Sequence, residues 1–141
     1  MANSSPLLAP VIALVIWTAV IWAWMYATRI PAIIRMRLKL DANAPRGEQM
    51  ATLPARVRWK ADNYNHLFEQ PMLFYATALS LALLGDPSTL SIALAWTYVA
   101  LRVVHSLWQV LVNHIPTRFA LFSISSLVLY ALVAIAALRV F

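Results

Sequence analysis

The chain has 141 residues, 62% hydrophobic and only 11% charged, where a soluble domain carries about 25% charged residues. So short a chain cannot bury that much apolar surface in a core of its own, so lipid must cover the remainder. Cysteine is absent, which excludes disulfides, protein thiolates and cysteine metal sites, and the formal charge is +6.

We expect one domain, residues 1–141, all-α, folded as an integral membrane four-helix bundle. The first segment, Leu7–Thr28, has 22 residues and no charge. At 1.5 Å rise per residue it spans a hydrocarbon core of about 30 Å. The N-terminal stretch lacks the positive run of a secretory signal and the apolar segment is too long for a signal core, so a retained span is expected. The connection Ile30–Leu53 holds Pro31, Pro45 and Gly47, and eight of the eleven Lys and Arg residues fall between Arg29 and Lys60. Ile33, Ile34, Met36, Leu38 and Leu40 alternate with basic residues, but a lone strand has no partner, so an irregular or amphipathic stretch on the membrane surface is expected. With no nucleic-acid-binding module around it, the basic cluster points to a cytoplasmic loop beside anionic headgroups and not to nucleic acid.

The second segment runs from Pro54 to Leu84, polar first and apolar after Glu69, with a kink predicted at Pro71. Gly85-Asp86-Pro87-Ser88 reads as a tight turn. The third segment covers Ser88–Asn113, and the fourth runs from Thr117 to the C-terminus after the link His114-Ile115-Pro116-Thr117. Four alternating spans put residues 30–53 in the cytoplasm and both termini outside, with the cell's inner membrane the expected location.

Charges at membrane depth single out a site. An ionisable side chain there costs roughly 2.5–3.5 kcal/mol on insertion scales, so it normally faces protein or a wet cavity and has a partner. Arg58, Asp62, Asn65 and Glu69 recur at helical spacing, as do Arg102, His105 and Gln109. Glu69 lies 17 residues before Asp86 and Arg102 lies 16 after it. Antiparallel helices would set the two at comparable depth, and a buried ion pair is expected. His105 either donates to a ligand or bonds backbone. Arg118 either binds an anion at the cytoplasmic mouth or a lipid phosphate. No second His or carboxylate stands four residues from His105, so no metal site is expected.

The stretch Asn63-Tyr64-Asn65-His66-Leu67-Phe68-Glu69-Gln70-Pro71 is similar to an Asn-x-x-Glu motif followed by proline. Arg102-Val103-Val104-His105 and Pro116-Thr117-Arg118 are similar to an Arg-x-x-His and a Pro-x-Arg. Together, over nearly the whole chain, they resemble the membrane-associated proteins in eicosanoid and glutathione metabolism (MAPEG), here as a divergent bacterial member. The resemblance implies a homotrimer that binds glutathione between subunits and acts on a lipophilic substrate. It implies Arg118 as the catalytic residue supporting the thiolate. It also implies that Arg58 or Lys60, Asn65, Glu69, Arg102 and His105 bind glutathione. Where family enzymes carry Tyr and Ser, this chain has Gln109 and Phe119. His66 stands three residues before Glu69, where the pattern has Asn, and Asp62 stands seven before it in place of Arg. A non-enzymatic membrane scaffold that presents a lipid or binds a partner protein is the alternative.

Overall fold

The computed structural model describes residues 5–86 and 88–141. Residues 1–4 of the N-terminal stretch and Pro87 of the expected turn lie outside the described residues. All regular structure among the described residues is helical: α1 (Leu8–Arg35), α2 (Glu48–Ala51), α3 (Ala55–His66), α4 (Pro71–Leu83), α5 (Thr89–Leu111) and α6 (Ile115–Val140). Helices α1, α5 and α6 are each long and apolar enough to cross a membrane.

Helix α1 runs seven residues past Thr28, with Pro31 inside it. The alternation after Ile33 therefore forms no strand. The helix ends in a Schellman turn: the Leu38 amide donates to the Ile33 carbonyl at 3.2 Å and the Arg37 amide to the Ile34 carbonyl at 3.1 Å. Arg37 occupies the left-handed position of that turn, φ 48°, usually filled by glycine. At the end of α4 the same turn is built on Gly85, φ 67°, with Asp86 donating to Leu81 and Gly85 to Ala82.

The second segment is two helices. Proline at position 71 has no N–H to give the Leu67 carbonyl, so residues 67–70 pass through i→i+3 bonds and α4 starts at Pro71, a favoured first position. The break changes the fate of one acceptor. The His66 carbonyl accepts from the Glu69 amide at 3.4 Å and from the Arg102 guanidinium at 3.2 Å.

The main packing is α5 against α6, then α1 against α3. On α5 the buried residues Ser91, Ala95, Tyr98, Arg102, His105, Ser106 and Gln109 form one stripe at helical spacing. Lipid supplies little drive for helix association, so close approach of small residues and interhelical hydrogen bonds matter. Ala95, Ser91 and Ser125 are fully buried, and Phe74 stacks on Tyr98 with ring centroids 4.7 Å apart. Asn63 donates to Ser106 Oγ at 2.5 Å, and Gln70 Nε2 to Ser126 Oγ at 2.6 Å. At the far end of α5 the buried Asp86 carboxylate accepts from Ser88 N, Ser91 Oγ and Arg139.

Candidate functional site

A cleft of about 310 Å³ opens between the end of α3, the middle of α5 and the start of α6, lined by His66, His105, Ile115, Arg118, Phe119 and Phe122. Each element brings its residue there for a local reason. His66 is the last residue of α3, set by the break before Pro71. His105 lies one turn beyond Arg102 on the buried stripe of α5. Arg118 sits in the first turn of α6, where Pro116 suits the helix start.

Arg102 lies behind this wall with 1% of its surface exposed. Its guanidinium donates to the His66 carbonyl and, at 3.4 Å, contacts His105 Nδ1. A guanidinium has no acceptor, so Nδ1 accepts and the His105 ring proton is on Nε2. Arg118 donates to Asn113 Oδ1 at 2.6 Å. Asn113 ends α5 in the left-handed region, φ 57°, a conformation Asn tolerates better than most residues. One residue thus stops α5 and aims the first cation of α6.

The expected ion pair between Glu69 and Arg102 is absent. Glu69, in the turn between α3 and α4, is 66% exposed and reaches back to His66, Oε2 to Nδ1, at 2.6 Å. Arg102 takes the carbonyl of that same residue. His66 stands between the two charges. The break sets the carboxylate outward, and the His66 carbonyl takes one guanidinium N–H instead, while Arg102 Nε has no partner among the described residues.

The other expected ligand residues are dispersed. Arg58 and Asn65 line a separate cleft of about 450 Å³ with Arg29, Asp62 and Tyr64, between α1, α2 and α3. Lys60 reaches neither cleft. Its ammonium lies 5.4 Å from the centroid of the Trp24 ring and donates to the Arg56 carbonyl at 2.8 Å.

Residues 7–138 match the model of the MAPEG family. The chain belongs to the MAPEG family. No curated protein and no solved structure matches it. As a MAPEG protein with three helices fit to cross a bilayer, it is an integral membrane protein. The two positions where the resemblance implies Tyr and Ser are occupied differently. Gln109 is buried and its Oε1 has no partner among the described residues, while Phe119 is 69% exposed at the cleft. Sequence reasoning passed over two residues at this cleft. The i,i+3 spacing of His66 and Glu69 was a legible signal for their contact. The role of Asn113 carried none, because it depends on a turn conformation.

Proposed function

We propose that this MAPEG protein is a homotrimer of four-helix, four-span subunits that binds glutathione, or a similar anionic thiol, between subunits. It joins the thiol to, or reduces, a lipophilic electrophile arriving through the bilayer. The spans are α1, α3 with α4, α5, and α6. Residues 30–53 face the cytoplasm, both termini lie outside, and the membrane is the cell's inner membrane. The observation that carries this reading is the gathering of His66, His105 and Arg118 at one cleft, with Glu69 beside His66, in a chain of this family.

Glutathione has two carboxylates, an amine and a thiol, so guanidinium groups and a carboxylate are complementary to it. A thiolate needs a nearby cation or donor to form at neutral pH. Arg118 supplies that charge. Glu69 takes the ligand amine, and among the described residues its Oε1 makes no hydrogen bond. His105 offers Nε2–H to the ligand, and Arg102 holds the wall from behind. Arg58 and Asn65 bind a ligand carboxylate, and assembly places their cleft against the thiol cleft of a neighbouring subunit.

The test is calorimetric binding of glutathione to the purified protein, then turnover of chlorodinitrobenzene and of a lipid hydroperoxide. Arg118→Ala is expected to lower turnover by about 100-fold, as loss of one electrostatic donor does. Phe119 favours a second reading, a scaffold without catalysis. Glutathione binding with no turnover of any electrophile supports that reading, and no binding at all overturns the first.

A further inference from the structure

We infer that His66 is the base that takes the thiol proton in this site, with Glu69 as the residue that positions it; the inference rests on the proposed function. Arg118 stabilises a thiolate but cannot remove the proton, because a guanidinium has no lone pair to offer. Gln109 and Phe119 supply no base either. Of the side chains that line the cleft, only the two imidazoles carry a lone pair able to take a proton.

These two rings are in opposite states. His105 Nδ1 accepts from Arg102, so its Nε2 carries a proton and is a donor. His66 Nδ1 lies 2.6 Å from Glu69 Oε2. A carboxylate oxygen accepts, so Nδ1 is the donor in this contact, and in the neutral ring the lone pair is left on Nε2. Among the described residues Nε2 of His66 makes no hydrogen bond, and the side chain keeps 21% of its surface open where it lines the cleft. The charged and titratable groups around it are Glu69 from the turn, Arg102 and His105 from α5, and Arg118 from α6. Glu69 is the one anion among them, and it contacts the nitrogen that must stay protonated. Arg102 touches the backbone of residue 66 and not its ring.

The step balances as follows. The thiol S–H bond breaks, its proton passes to His66 Nε2, and the resulting imidazolium is paired with the Glu69 carboxylate. The thiolate, beside Arg118, attacks the electrophilic carbon; the S–C bond forms and the bond to the leaving anion breaks. The imidazolium then returns its proton to water, so the net products are the thioether and the acid of the leaving group. His66 is catalytic in this scheme because it touches the reacting hydrogen. Glu69 acts through it.

The experiment uses the whole protein in lipid nanodiscs with glutathione and chlorodinitrobenzene, comparing it with His66→Gln and His66→Asn. General-base catalysis contributes about 100-fold or more, so His66→Gln is expected to lower turnover about 100-fold near pH 6.5. At about pH 9 the thiol ionises unaided, and turnover should return to within about threefold of the unaltered protein, with glutathione affinity changed less than about threefold throughout. That recovery also proves the variant folded. Far-ultraviolet absorbance of bound glutathione gives a readout independent of turnover: thiolate forms at neutral pH in the unaltered protein and is lost in both variants. An equal fall at all pH values, an unchanged profile, or thiolate retained without His66 overturns the inference while leaving the proposed function standing. Failure of the unaltered protein to bind glutathione overturns the proposed function, and this inference with it.

Discussion

Single residues set the site more tightly than their spacing suggests. Arg102, His105 and Glu69 were visible in the sequence because charged and polar groups in apolar runs need a reason. The partner of Arg102 was not visible. Spacing arguments pair side chain with side chain, whereas here the acceptor is the backbone carbonyl of the residue at which α3 ends. Arg118 depends in the same way on Asn113, which accepts from it at 2.6 Å in a left-handed conformation. Replacing Asn113 with Gly keeps the backbone conformation and removes only the acceptor. Thermal stability in detergent should then change by less than about 0.5 kcal/mol, since Gly adopts positive φ readily. The glutathione dissociation constant should rise about tenfold, the weight of one charge-assisted hydrogen bond, measured by calorimetry. A large stability loss with unchanged affinity would show that Asn113 does not aim the cation.

Among the elements, hydrophobic run length located α5 and α6 to within two residues and the start of α1, whose end it missed by seven, and the long second segment was right in extent. Its interruption was signalled by Pro71, but the sequence predicted a kink and the structure has two helices separated by four residues. The turn chemistry was partly hidden for a different reason. Gly85 announced itself as a turn residue, yet Arg37 takes the same left-handed role with no local signature. The two positions should respond oppositely. Gly85→Ala meets nothing within 4 Å, so its cost is that of the backbone alone, about 1 kcal/mol. Arg37→Gly relieves the same strain and should raise stability by about 0.5 kcal/mol after the added chain entropy is deducted. Thermal unfolding of both variants in one detergent checks the pair of signs.

For the whole molecule, composition was enough to specify an all-helical membrane protein, because 62% hydrophobic residues in 141 leave no other solvent but lipid. The apolar exposure that remains, on Ile12 and Ile16 of α1 and on Leu127 and Leu138 of α6, requires acyl chains or another subunit to cover it. Native mass spectrometry from detergent is expected to give three chains per particle. Arg139, in the last turn of α6, binds Asp86 and ties the end of α6 to the start of α5. The pair is lopsided: the Asp86 side chain is 1% exposed and Arg139 55%. Asp86→Ala strands Ser88 N and Ser91 Oγ as well and should cost about 2–3 kcal/mol, whereas Arg139→Ala, half in solvent, should cost less than about 1 kcal/mol. Equal losses in the two variants would mean that the ion pair alone, and not the capping of α5, holds this end. At the other end, the bond from Arg102 to the carbonyl of residue 66 has a different kind of reach. Every amino acid offers the same carbonyl, so that joint between α3 and α5 is indifferent to the side chain at position 66. The side chain mounted there can be exchanged, by mutation or over generations, without loosening the frame that carries it.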